Sequence, residues 1–413
     1  QDQEHNRTLP QTHRETEIIL AYVELCLGNG QEAKRYAQKG IEQGIKSKNI
    51  FVEACGWMRL GHANQILNDY DSSLSEKCYL TALELMEKIH VSRGKAEPNM
   101  GLCILYSRRG EFERALEIGK LALYETENVQ DQWLASFIRL SMGIAAYQCG
   151  RLEDAKNYFE HARDFFKTHG DPYGYTLSLC WLSFYYLAKE DWENFKLVVT
   201  NFLQEVQLGN YEFLFSKPTQ FSPKDMQTFI PLLMKAKELD VYPPFVQSIL
   251  QSLGYNDIDS HPGYTLRVKT FGGFEVYLGD RLVTDKDWQR GKAKELFQFL
   301  LIKRESWYTK EQIYDQLWPD TNSKNIEKEF KVILNACNRA LEPNRKARSS
   351  PFYIYRRNNM YGINPKAVIE IDYEQFEHWI KEGLREKHTD KAISLLLQGL
   401  HHYKGRFMEG TLD

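Results

Sequence analysis

Apolar residues recur at helical spacing through the first half of the chain, alternate with polar ones over 264–283, and return to helical spacing from 290 onward. Within the first half the pattern repeats. Gly28, Asn68, Gly110, Gly150 and Glu190 open the stretches GNGQEA, NDYDSS, GEFERA, GRLEDA and EDWENF, at spacings of 40, 42, 40 and 40 residues. Seven residues before each start stands a small side chain: Ala21, Gly61, Cys103, Gly143 and Ser183. Five residues after come Ala33, Ser73, Ala115 and Ala155, with Phe195 breaking the rule. Two after the start stand Tyr70, Phe112, Leu152 and Trp192, whereas the first unit has Gly30. Such a pattern predicts stacked helix–turn–helix pairs, the small residues allowing close approach and the bulky ones filling the gap to the next pair.

Over roughly residues 10–205 this pattern resembles the tetratricopeptide repeat, in the variant of about 40 residues found in MalT-like bacterial regulators. Stacked pairs leave a concave face, and Trp57, Arg59, Arg139, Tyr147, Trp181 and Tyr185 are candidates to line it and hold a ligand or peptide. Ordinary packing between helices is the competing reading for each aromatic. Residues 225–239 and 244–253 predict two short helices with a break at Val241-Tyr242-Pro243, Pro244 suiting the first position of the second. GYNDIDSHPG (254–263) has turn composition. The run KAKELDVYPPFVQSILQSL also looks like the segment that follows the repeats in MalT-like proteins.

The alternating stretch YTLRVKTFGGFEVYLGDRLV predicts three short strands with a Leu278–Arg281 hairpin turn. Helices follow at 290–304 and 309–318, the latter capped by Thr309 and ended by Pro319. A third covers 323–342, with Ser323 as N-cap. Its apolar side carries Ile326, Phe330, Ile333, Cys337 and Leu341; Lys324, Lys328, Lys331, Asn335 and Asn338 fall on the other. Residues 352–364 then predict two strands around an Arg-Arg-Asn-Asn-Met tip.

Charge sharpens this. Of a net −3, residues 264–366 hold 20 Lys and Arg against 12 Asp and Glu, so this segment is +8 and the remainder −11. A basic segment beside an acidic body suits a polyanion. The seven cysteines are scattered without CxxC or Cys/His ligand spacing, which predicts reduced, structural thiols in a cytoplasmic protein and no metal site. No apolar run approaches the roughly 18 residues of a membrane span. The start QDQEHNRTLP has no signal-peptide pattern and is read as the edge of a fragment.

Strands, three helices and a basic hairpin in this order resemble the winged helix-turn-helix of OmpR/PhoB-type regulators. LRVKTFGGFEVYLGDR, KAKELFQFLL, QLWPD and NRALEP look more closely like the DNA-binding domain of SARP-type activators. Residues 371–384 and 390–410 are similar to the opening helices of the bacterial transcriptional activation domain that follows in that family. The expected fold class is mainly α: a tetratricopeptide-like helical repeat array, an α+β winged helix-turn-helix domain and a short helical C-terminal segment. The expected domains are 1–210, a helical junction and linker at 211–263, 264–366, and 367–413.

The resemblance implies that the third helix enters the major groove, with Lys328, Lys331, Asn335 and Asn338 facing DNA and Lys324 on the same side. Amides read base edges, adenine above all, while lysines hold phosphates or reach guanine. Arg356 and Arg357 correspond to wing residues at the minor groove or backbone, and Arg290 and Lys292 would meet phosphates at a helix N-terminus. Glu327 and Glu329 depart from the family, which commonly has Arg or Asn there. The Trp318–Asn322 turn corresponds to the loop that contacts RNA polymerase in related activators, and side-by-side protomers on direct repeats make a homo-oligomer on DNA the expectation.

No phosphate loop, GxSxG, HExxH or GxGxxG is present; GNGQEA comes near the last but lies in a helix–helix turn, and His401-His402 has no matching ligands. Catalysis and a cofactor are not expected in this chain, although MalT-like regulators carry an ATP-binding domain ahead of their repeats. The sequence therefore predicts a cytoplasmic transcription regulator, read as an activator, whose repeats sense a small-molecule or protein inducer and whose winged helix binds promoter DNA. The alternative is a protein-interaction scaffold in which the basic domain is a docking module.

Overall fold

A computed structural model describes residues 15–67, 72–319, 326–346 and 348–409. The chain divides into two compact units, residues 1–226 with 232–249, and residues 227–231 with 250–413.

The first unit is built of helix pairs. α1 (Thr16–Cys26) and α2 (Gly30–Ser47) are followed by α3 (Ile50–Leu67) with α4 (Ser72–Lys88), and α5 (Ser92–Arg108) with α6 (Phe112–Asn128). α7 (Gln132–Gln148) with α8 (Leu152–His169) and α9 (Pro172–Ala188) with α10 (Trp192–Gly209) complete the series. Gly28, Gly110, Gly150 and Glu190 each fall between the two helices of a pair, while Asn68 and Tyr70 lie outside the described residues. The small positions are all buried: Ala21, Gly61, Cys103, Gly143 and Ser183. Their purpose is visible at Gly143, where an added Cβ would sit 2.5 Å from the Phe159 ring, and at Gly61, 2.7 Å from Tyr79. The bulky ring of the second helix takes the space that the first helix leaves empty. Ala33, Ala115 and Ala155 are fully buried for the same reason, and Phe195 is accommodated without exposure.

The pairs stack so that odd-numbered helices neighbour one another. The stack curls: the Tyr173 hydroxyl at the start of α9 donates to the Cys26 carbonyl at the end of α1, at 3.0 Å. Between α10 and the break at Val241–Tyr242 lie a 3-10 turn (Glu212–Phe215), an irregular stretch and α11 (Phe229–Glu238); α12 (Pro243–Ser252) starts one residue earlier than predicted.

The second unit opens with β1 (Leu266–Lys269), β2 (Glu275–Leu278) and β3 (Arg281–Leu282). β1 and β2 pair antiparallel, Leu266 opposite Leu278, and the hairpin to β3 turns at Gly279 with φ 60°. Leu266, Val268, Val276 and Leu278 form the buried face, the period-2 pattern read from the sequence. The short helix α13 (Asp285–Trp288), then α14 (Gly291–Ile302), α15 (Lys310–Leu317) and α16 (Ile326–Leu341) follow. Thr309 caps α15 in a reciprocal box with Gln312. β4 (Ile354–Arg357) and β5 (Met360–Ile363) form a two-residue hairpin in which Asn358 and Asn359 both have positive φ, 49° and 62°. Asparagine tolerates that conformation, and this turn type matches the twist of the strands.

One strand escaped the sequence pattern. β6 (Ile369–Ile371) adds parallel to β1, giving the order β3-β2-β1-β6. Three residues are too few to show a period, and Ile371 reads equally as a helix start. α17 (Asp372–Arg385) begins immediately after, and its Asp372 carboxylate accepts from Thr270 N, Thr270 Oγ1 and Phe271 N at 2.7, 2.6 and 3.1 Å. α18 (Thr389–His402) packs on α17, and residue 408 returns to β1's end, Met408 N donating to Thr270 O. The helical C-terminal segment thus shares a compact unit with the sheet and the three helices. Its second helix ends at His402 instead of running to 410.

Candidate functional site: the basic face of α16 and the inner face of the repeats

α16 presents a split surface. Phe330, Ile333, Cys337 and Leu341 are buried, while Lys328, Lys331, Val332, Asn335 and Arg339 are exposed. Lys324 and Ser323 lie outside the described residues. Glu327 does not stand as an isolated negative charge on this face: its carboxylate lies 3.1 Å from Lys310 Nζ and 3.3 Å from Lys331 Nζ. Hydrogen bonds from those two ammonium groups hold its carboxyl below the usual range. Lys328 and Asn335 have no ion pair or side-chain hydrogen bond among the described residues. At the hairpin tip Arg356 and Arg357 are exposed, Arg356 donating to Asn359 Oδ1 at 2.6 Å. Arg290 is the exposed N-cap residue of α14.

Two candidates are corrected. Asn338 is 4% exposed, so it does not share the open face with Asn335. The last turns of α16 are covered on more sides than the first. Glu342 just beyond them is buried, accepting from Phe352 N and Tyr353 N at 2.8 and 3.0 Å, and the Tyr264 hydroxyl donates to Leu341 O. The exposed stripe runs instead through Arg339, one position further on, which the sequence reading passed over. Lys292 is the second correction. Its ammonium donates to the Leu317 carbonyl at 2.6 Å and sits 5.2 Å from the Trp318 ring centroid. It satisfies a carbonyl at the C-terminus of α15, where helices leave four without partners. Trp318 is itself buried, and 320–322 lie outside the described residues.

The six groove candidates sit on α3, α7 and α9, but their polar atoms are largely engaged. Arg59 pairs with Glu97 and lies over the Tyr22 ring; Arg139 pairs with Glu127 at 2.8 Å. The Tyr185 hydroxyl donates to Glu153 at 3.0 Å, and Tyr147 stacks edge-on to Trp181. Trp181 is 3% exposed, its indole N–H donating to Phe221 O at 2.8 Å. Trp57 is half-buried between two core clusters, and its indole nitrogen has no partner among the described residues.

Phe221 belongs to an irregular stretch, 216–224, with a turn at 219–222, that sequence reasoning treated as junction. Thr219, Gln220, Phe221 and Ser222 are all buried, although the stretch contains no α-helix or strand. It runs along the odd-numbered helices. Lys217 Nζ reaches Asn29 Oδ1 at 2.9 Å, Gln220 Nε2 lies 3.0 Å from His62 Nδ1, and the Phe221 ring is 5.2 Å from Phe137. The Arg108 guanidinium donates to the carbonyls of Gln65, Gln220 and Ser222 at 3.2, 3.4 and 3.5 Å, and Arg108 O accepts from Lys224 Nζ. Burial pushes Arg108 down to about 10. Beside the stretch an open cleft of about 330 Å³ is lined by Tyr22, Cys26, Trp133, Tyr173, Tyr211 and Phe213 among others.

Behind it lies a buried polar cluster. Glu97 is paired with Arg59 and faces His62 Nε2 at 3.6 Å. Burial alone would raise the Glu97 carboxyl, but Arg59 and His62 outweigh it and hold the group at about 2. Burial lowers His62, which is therefore neutral, with Nδ1 facing the Tyr79 hydroxyl at 2.7 Å as well as Gln220. Its Nδ1 accepts when these groups donate, leaving the proton on Nε2 toward Glu97.

No protein-family model matches the chain, and no curated protein does. Among solved structures it is similar to a signal transduction ATPase with numerous domains, a protein with a tetratricopeptide repeat sensor from Pyrococcus horikoshii. Identity is 17% and the TM-score 0.38, over 59% of this chain and 36% of that one. The chain thus spans little more than a third of that protein's length. The repeat assignment here rests on the helix pairs themselves. No helix among the described residues is long and apolar enough to cross a membrane.

Proposed function

We propose that the chain is a DNA-binding transcription regulator, with a sensor built of helical repeats and an output unit of the winged helix type, as in MalT-like and SARP-type activators. The observation that carries this reading is the exposed stripe of Lys328, Lys331, Asn335 and Arg339 on one helix, with Arg356 and Arg357 at the tip of a hairpin in the same unit. A helix of this kind fits a major groove, and a basic hairpin fits the neighbouring backbone or minor groove. The arginines and lysines would hold phosphates, Asn335 would read a base edge, and Arg290 would add a phosphate contact at the start of α14. No catalytic step belongs to this reading; promoter DNA and RNA polymerase are its partners, with two protomers on repeated half-sites.

The test is fluorescence anisotropy with random-sequence duplex DNA over a salt series. Wild type should bind with affinity falling log-linearly as salt rises, at a slope near −0.9 per neutralised phosphate. The triple variant Lys328→Ala/Lys331→Ala/Arg357→Ala should lose up to about three from the count of phosphates. Absence of binding at low salt, by the whole chain and by residues 250–413 alike, would leave the scaffold reading, in which partner binding through the repeats varies little with salt.

A further inference from the structure

The stretch 216–224, Ser-Lys-Pro-Thr-Gln-Phe-Ser-Pro-Lys, occupies the inner face of the repeat array in the manner of a bound peptide. It is held by groups from all five helix pairs: Asn29 in the first, His62 in the second, Arg108 in the third, Phe137 in the fourth and Trp181 in the fifth. Gly28 is shaped to it. That residue has φ +71°, and a Cβ there would lie 2.7 Å from Lys217 Cβ and 3.0 Å from the Pro218 carbonyl.

The chemistry of these contacts is that of a receptor for a polypeptide segment that turns at 219–222, where Ser222 N donates to Thr219 O at 3.3 Å. Arg108 and the Trp181 indole both donate to main-chain carbonyls, of Gln220, Ser222 and Phe221, and so read a backbone whatever its side chains. Phe137 packs against one aromatic ring, that of Phe221, and His62 receives one side-chain amide. A guanidinium half-buried as Arg108 is gains most from a carboxylate partner. The hydrogen bonds of the Arg108 guanidinium go to main-chain carbonyls, and one of the three, that of Gln65, belongs to a helix. Gln65 Oε1, whose main-chain carbonyl shares Arg108 with the stretch, is buried without a hydrogen-bond partner among the described residues. The resident stretch therefore satisfies its site incompletely. It also leaves the adjoining aromatic cleft of about 330 Å³ open.

We propose that the inner face of the repeats is a binding site for an irregular segment of a partner protein that carries a turn between two prolines, and that residues 216–224 are its resident occupant, displaced when the partner binds. The segment recognised carries an amide side chain followed by an aromatic one, as Gln220-Phe221 does, with a further aromatic or aliphatic residue for the open cleft. A covalently tethered occupant competes at an effective concentration in the millimolar range. A partner overcomes that advantage through contacts the resident lacks, and the cleft beside it supplies them. This inference stands whether or not the second unit binds DNA, and its test contains none.

The test uses a fluorescent peptide of residues 215–224 and the whole chain. Wild type should bind it at least tenfold more weakly than a Gln220→Ala/Phe221→Ala variant, whose own occupant is loosened while the receptor groups are intact. Adding Arg108→Met to that variant should abolish the gain, and a scrambled peptide should not bind. Equal weak binding by wild type and the loosened variant, with both shown folded by circular dichroism, would overturn the proposal. Hydrogen exchange on the wild type decides the matter should the loosened variant fail to fold. A displaceable occupant exchanges its amides at 217–223 well before α3, α5 and α7, whereas exchange of all together, only on global unfolding, marks a structural spine and sinks the idea.

Discussion

The two units use polar side chains on helices in opposite ways. On the inner face of the repeats, Arg59, Glu97, His62, Gln65, Tyr79 and Arg108 are turned inward and joined to one another or to the 216–224 stretch. On α16 the cations point outward, and Lys328 and Arg339 have no ion pair among the described residues. A buried polar group without a partner costs about 1–3 kcal/mol, whereas a solvated one costs little. The first arrangement therefore demands an occupant at all times, while the second can wait for one. That contrast suits a sensor already filled and an output surface still open.

The comparison breaks most visibly at Glu97. Removing it by Glu97→Ala leaves the Arg59 guanidinium enclosed without its carboxylate, a loss of about 3 kcal/mol or more. Urea unfolding of the first unit should report that loss, with the salt dependence of DNA binding by the second unit unchanged. A change under about 1 kcal/mol would mean that the pair behaves as a surface pair and that the inner face is wetter than described.

The same contrast predicts a separation within α16. Asn335→Ala should cost about 1–3 kcal/mol of discrimination between DNA sequences, the worth of one bidentate amide contact to a base, without altering stability. Asn338→Ala should leave discrimination alone and change only the unfolding midpoint. Binding selections with randomised duplexes measure the first effect. Equal effects of both substitutions on base preference would place Asn338 at the groove after all.

How far these positions were legible in the sequence follows from period. The repeat turns and the small residues before them could be read because each helix pair needs a Gly, Ala, Ser or Cys where a ring such as Phe159 or Tyr79 packs. Thr309, the Asn358-Asn359 turn and the alternating β1 and β2 were legible for equally local reasons. Asn338 was not, because angle alone places it beside Lys331, while its burial is set by packing that helical period does not show. The 216–224 stretch was illegible altogether. It has no period, and its Lys, Gln, Ser and Pro are the composition of an exposed connection; only the superhelical curl, closed by Tyr173 on Cys26, turns that connection into an interior.

Acid distinguishes the two faces next. In the folded chain His62 takes up its proton only below its ordinary value, since burial disfavours the cation and Arg59 opposes it, while Glu97 and its hydrogen bond to the ring only partly offset this. The unfolded chain binds that proton first as pH falls, so stability is full above about 6.5 and declines below it. Glu97, held at about 2, adds a second decline as pH drops below about 4.5. Urea midpoints of the first unit should therefore fall from pH 7.5 to pH 5.5. His62→Gln, which keeps an amide facing Gln220 and Tyr79 but cannot titrate, should flatten that window. An unchanged slope in the variant would assign it to other groups.

The smallest effect concerns Glu327, one of two acidic residues on the helix proposed to face DNA. Its carboxylate lies between Lys310 and Lys331, so two ammonium groups that could meet phosphates are partly compensated. Glu327→Gln keeps the side chain's size and removes the charge. Fully exposed pairs contribute little to stability, so the unfolding midpoint should stay where it is. Binding to random duplex should strengthen a few-fold at low salt, with the salt slope steeper by at most about one counterion. A strengthening that vanishes in high salt marks Lys310 and Lys331 as phosphate contacts held in check by Glu327. No change at any salt would remove this side of α16 from the interface and turn the helix about its axis toward Val332 and Arg339, narrowing the DNA-facing stripe to Lys328, Asn335 and Arg339.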